Sequence, residues 1–181
     1  MFEPFILSNV VLSNNVLSEE TLSGELLGNA APNAQAADRS ATGEPRLRLR
    51  SATERGGFVD GGWWPRSLDL AGELPAMITA LIDAGCTVHK VSYNLTGWQI
   101  PPSKLTVGGS VLTLTGHRNQ SRSSITLIDT ANTNSATVSR LELVVVPPDT
   151  DPIIAERALQ MAGKDGLRLR SAEILMRAKS R

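Results

Sequence analysis

GGFVDGGWWPRSLDL, residues 56–70, is the stretch from which this 181-residue chain is best read, because it gathers three of the seven aromatic residues and two glycine pairs. Pro65 disfavours the helical conformation for the residue before it, so Trp64 is held extended and no helix runs through the tryptophan pair. Neighbouring side chains of an extended backbone point to opposite faces, and Trp63 and Trp64 are therefore splayed. One ring anchors a core and the other is left at least partly exposed. The glycines with Asp60 between them predict a tight loop that delivers both rings. Ser67 is placed to cap the helix that follows, and the Arg66 guanidinium to stack on an indole.

Downstream, Leu70, Leu74, Met77, Ile78, Leu81 and Ile82 recur at helical spacing, and Gly85 supplies the stop. Pro75 inside that pattern predicts a short first turn and a main helix from about Pro75. CTVHKVSYN (86–94) reads as a strand, TGWQIPP (96–102) as a loop holding Trp98 on an extended path, and 104–115 as a hairpin turning at Gly108-Gly109. Residues 125–129 and 137–146 are two more strands around the turn-rich TANTNSA (130–136), and Pro147-Pro148 ends the sheet. A second helix has Asp151 at its cap, Pro152 at its first position and Gly163 at its end. Upstream, RLRLRS (46–51) alternates strictly, which predicts a strand with Leu47 and Leu49 inward and Arg46, Arg48 and Arg50 outward. LRLRSA recurs at 47–52 and 167–172, too short a match for a structural repeat, whose units need about 20 residues. Hairpin-linked strands with one helix inserted early and one appended late predict an α+β fold. It is a strongly bent, mainly antiparallel sheet of about six strands packed by two helices.

Composition bounds the domain. Residues 1–44 are Ala-, Asn- and Ser-rich without a sustained period, and predict a disordered acidic tail of net charge −5. The single α+β domain covers 45–163 (+1), and 164–181 is a basic C-terminal extension (+4) that ends in an extended piece and a short helix. A formal net charge of zero supplies no global field for gripping nucleic acid. With one cysteine, Cys86, no intrachain disulfide forms, and the reading is a cytoplasmic protein with no membrane span.

Chemistry-bearing motifs are sparse. Cys86 and His89 are three apart on a strand and point to opposite faces, so no metal site is expected. Neither a GxSxG elbow nor a nucleotide-binding glycine loop occurs, and no cofactor is expected. Asp60 with Asp129 or Glu142 is the available carboxylate pair for acid/base work, although such carboxylates are usually solvated. Five of the seven aromatic residues fall between 58 and 98 and none after. The favoured expectation is a non-enzymatic binding or regulatory domain that recognises a protein segment or small ligand. Its site is an aromatic groove of Asp60, Trp63, Trp64, Arg66, Tyr93, Asn94 and Trp98. The alternatives are an enzyme of unassigned activity, or a nucleic-acid binder. The latter would use a basic stripe of Arg46, Arg48, Arg50, Arg168 and Arg170, continued by Arg177, Lys179 and Arg181, with an exposed indole to stack a base.

DGGWWPRS (60–67), ELPAMITAL (73–81), VSYNLTGW (91–98), KLTVGG (104–109) and VVVPPDT (144–150) together resemble an uncharacterised actinobacterial domain-of-unknown-function family with a DGxWWPRS motif. The resemblance covers roughly 45–162 and implies no activity, cofactor or catalytic residue. Similar proteins tend to carry a histidine shortly after a GFRxQ-like segment, whereas GHRNQSRSS here places His117 earlier.

Overall fold

The computed structural model describes residues 45–129 and 139–180; the acidic tail 1–44, residues 130–138 with the turn-rich 130–136 and the first two positions of the strand expected at 137–146, and Arg181 lie outside the described residues. Seven strands are present there: β1 (Leu47–Leu49), β2 (Gly61–Trp63), β3 (Lys90–Asn94), β4 (Lys104–Val107), β5 (Ser110–His117), β6 (Ser124–Asp129) and β7 (Ser139–Val145). Three helices accompany them: α1 (Leu70–Asp83), α2 (Pro152–Ala162) and α3 (Ser171–Lys179). The strands form one open, mixed sheet in the order β1-β2-β7-β6-β3-β5-β4. The α+β class stands, with seven strands where about six were expected, and the short helix expected in the C-terminal segment, α3, joins the two that pack the sheet. Two neighbouring pairs, β2 with β7 and β3 with β5, run parallel within the otherwise antiparallel sheet.

The largest departure lies in the tryptophan stretch, where the expected loop is the inner strand β2. Its backbone is paired on both sides, to β1 through Leu49↔Gly61 and Leu47↔Trp63 and to β7 through Gly61↔Leu143 and Trp63↔Val145. Glycine there permits close packing rather than a turn. A Cβ on Gly62 would lie 2.9 Å from the Ala162 Cβ and 3.1 Å from Leu159 Cδ2, so α2 crosses directly over the bare strand. At Gly108-Gly109, by contrast, both φ angles are positive (55° and 80°), which is the two-residue turn that the hairpin β4–β5 needs.

Helix boundaries follow local capping. α1 begins at Leu70, five residues before Pro75, because Asp69 rather than Ser67 is its cap and accepts from the Gly72 amide at 3.2 Å. Ser67 instead accepts from the Asp69 amide and donates to Glu73. At the other end the Cys86 amide reaches Leu81 O and the Gly85 amide Ile82 O, a paired closure with Gly85 at φ +75°. α2 starts as expected, with the Asp151 carboxylate accepting from the Ile153 and Ile154 amides and Pro152 in its first turn.

The sheet separates two cores. On one face α1 buries Leu70, Leu74, Met77, Ile78 and Leu81 against Trp63, Val91, Leu112, Ile125, Leu127 and Leu143. On the other, α2 and α3 bury Ala155, Ala158, Leu159, Ala162, Ile174 and Ala178 against Val59, Val144 and Val146. Within 164–180, Leu169, Ile174 and Ala178 are buried in this second core. The run from Leu143 to Val146 is apolar at every position because both faces of β7 are covered there. Its earlier half alternates, with Leu141 and Leu143 toward α1 and Arg140 and Glu142 toward a face the helices leave uncovered.

Candidate functional site

The splay of the tryptophans is seen directly. Trp63, 2 % exposed, turns toward α1 and stacks on Trp98 with centroids 5.4 Å apart and planes at 16°. Trp64, half-buried, turns to the opposite face among the residues around α2. Arg46 lies 3.5 Å over its ring and donates to the carbonyls of Trp64 and Pro65. Desolvation lowers the Arg46 guanidinium from its ordinary value, the nearby Arg66 charge adds to this, and Glu73 opposes it. The guanidinium that stacks on an indole is therefore Arg46, from β1's side, while Arg66 is exposed.

The remaining members of the expected aromatic groove are drawn inside. Tyr93 and Trp98 belong to the α1-side core with Trp63, and burial raises the Tyr93 phenol above its ordinary value. Asn94, also buried, shapes a turn: its Oδ1 accepts from the Thr96 amide and hydroxyl, both at 2.8 Å, and its Nδ2 donates to Gln120 O. The structure brings Trp63, Tyr93 and Trp98 together as core and leaves Trp64 on the far side of the sheet. They frame no shared groove, because the strand that splays the two indoles is paired on both sides.

The arginine stripe is divided in the same way. Arg50 is 4 % exposed and donates to the carbonyls of Ala162 and Leu167, which corrects the expectation that it faces outward. Its position lies just past β1, where the chain turns under α2. Arg46 is held on Trp64, and exposed Arg48 pairs with Glu156 on α2 at 2.9 Å. Arg168 and Arg170 remain exposed.

Of the expected site residues, Asp60 lines a concavity. Its carboxylate is 2 % exposed and joins three segments: Oδ1 accepts from the Gly56 amide at 2.6 Å and Oδ2 from the Glu142 amide at 2.8 Å, while its own N–H donates to Glu142 O. Above it lies a cleft of about 650 Å³ between the loop 56–58, the uncovered ends of β6 and β7, and the start of α3. Glu142 on its wall accepts from the Thr126 hydroxyl at 2.7 Å and from Arg140 at 3.1 Å. Phe58 at the rim is 55 % exposed, with the Arg170 guanidinium 5.2 Å from its ring centre.

Two further lining residues, Ser124 on β6 and Ser171 at the start of α3, are 4 % and 8 % exposed, yet neither hydroxyl has a hydrogen-bond partner among the described residues. Sequence reasoning did not single out either serine, nor Arg140. The alternation SITL at 124–127 and RLEL at 140–143 carries the polar face in plain view, but nothing local says where the helices stop covering it. Among the described residues no group of three or more His, Cys, Asp and Glu side chains is arranged to hold a metal ion. No described helix is long and apolar enough to cross a membrane.

Residues 46–162 match a family described as a family of unknown function (DUF5994), a match that ends before α3. No curated protein and no solved structure matches the chain.

Proposed function

The chain belongs to that family of unknown function, and from this premise we propose that its domain is a non-enzymatic binding or regulatory module that holds a small polar ligand in the cleft above Asp60. The observation that carries this reading is a cleft lined by Ser124 and Ser171, two largely buried residues whose hydroxyls make no hydrogen bond to another described residue. At about 650 Å³ the space falls within the range of small-molecule sites, roughly 300–1,000 Å³. Binding rather than catalysis is favoured because the two lining carboxylates already have structural work. Asp60 spans two backbone amides, and Glu142 holds Thr126 and Arg140.

The site therefore moves from the aromatic groove to the opposite face of the same strands, with Asp60 as the member common to both. No separate observation favours the nucleic-acid reading, since Arg46, Arg48 and Arg50 of its stripe are engaged within the fold.

A thermal-shift screen of the full chain against small polar metabolites tests the proposal, with Ala172→Tyr as the control, because Ala172 is exposed and lines the cleft. The expected result is a compound that raises the melting temperature of the wild type and not of the variant. Equal stabilisation of both, or none by any compound, would overturn it.

A further inference from the structure

Resting on that reading of the cleft, we infer that the ligand is an oxyanion, specifically a phosphoryl group, seated between the first turn of α3 and the start of β6. α3 is a nine-residue helix whose Ser171 and Ala172 line the cleft. First-turn amides have no acceptor within their own helix, and with the helix dipole they favour an anion at that end. The Glu173 carboxylate lies at the same end, where it accepts from the Arg170 amide at 2.7 Å, one position before the Ser171 and Ala172 amides.

The second observation comes from a different element. Ser124 projects from β6 on the same side as Thr126, more than nine-tenths buried, and its hydroxyl joins that of Ser171 in having no protein partner. Two hydroxyl donors and a helix terminus thus line one cleft from two elements. Arg170 adds an exposed guanidinium with no carboxylate partner among the described residues, and Arg140 is tied to Glu142 through one nitrogen alone. Donors approaching from separate elements suit a tetrahedral group with three free oxygens better than a planar carboxylate, and guanidinium forks match phosphate geometry.

Asp60 and Glu142 also line the cleft and would oppose an anion. Both Asp60 oxygens, however, are turned to the amides of Gly56 and Glu142, and Glu142 is neutralised by Arg140.

The test is titration of the full ¹⁵N-labelled chain with inorganic phosphate, glucose 6-phosphate and glucose, read from amide shifts and calorimetry. Both phosphates should shift the Ser171 and Ala172 amides while glucose does not. Arg170→Gln and Ser124→Ala should each weaken binding roughly tenfold, as expected for one charge-assisted hydrogen bond lost. Their unchanged amide spectra away from the cleft would show that folding is intact. Tighter binding of the sugar phosphate assigns the site to a phosphomonoester, and equal binding assigns it to free phosphate; either supports the inference. Absence of shifts with both phosphates, or affinity unchanged in both variants, overturns it. Should a neutral compound from the thermal screen bind the cleft while phosphates do not, the oxyanion assignment falls and the binding reading stands.

Discussion

Trp63 and Trp64 occupy adjacent positions, yet they serve opposite faces of the sheet, and their substitution should separate accordingly. Trp63→Ala removes a ring that is 2 % exposed and stacked on Trp98, and is expected to cost about 3–5 kcal/mol. Trp64→Ala removes a half-buried ring whose indole N–H has no hydrogen-bond partner and whose face is covered by Arg46, for about 1–2 kcal/mol. Paired thermal melts would show the contrast. Asp60→Ala strips the acceptor from two backbone amides, so a loss of about 2–5 kcal/mol is expected in chemical denaturation. Tyr93 provides a pH readout because it is the single tyrosine. Its phenol is held protonated by burial, so the folded pKa lies above the unfolded value near 10. Stability from this group is complete below pH 10 or so and is lost as pH rises through the folded pKa. Absorbance of the phenolate should accordingly appear later in the native chain than in the denatured one, and coincident titrations would contradict the burial.

At the scale of elements, the contact of β2 with α2 depends on a missing side chain. Gly62→Ala sets a methyl against Ala162 and Leu159, and the overpacking should cost about 1–3 kcal/mol. The same exchange at Gly163, where a Cβ would sit 3.3 Å from its nearest neighbour, should be milder. Asp151 caps α2 through two amides, so Asp151→Ala is expected to lower stability by about 1 kcal/mol, measurable by urea denaturation. The start of α2, its proline and the β4–β5 turn were legible in sequence because each is decided by a few consecutive residues. The start of α1 was not, since Ser67 and Asp69 are both competent caps and the choice rests on Ser67 being taken up by Glu73 and the Asp69 amide.

For the whole molecule, the sheet needs cover on both faces, and α3 supplies part of it from outside the residues that match the family. Removal of 164–181 would uncover Val59, Val144 and Val146 and lose the burial of Leu169, Ile174 and Ala178. A loss above about 3 kcal/mol is expected, a drop of roughly 10 °C in melting temperature with increased dye binding to exposed apolar surface. The α+β class, the strands after Lys104, both main helices and the splay of the tryptophans were determined by the sequence alone, since each follows from local periodicity, capping or proline geometry. Tertiary structure alone decided that GGW is an inner strand, that Arg50 is buried, and that the polar faces of β6 and β7 border a cleft. Those outcomes depend on which distant segments pair and where a covering helix ends, and no window of neighbouring residues contains that information.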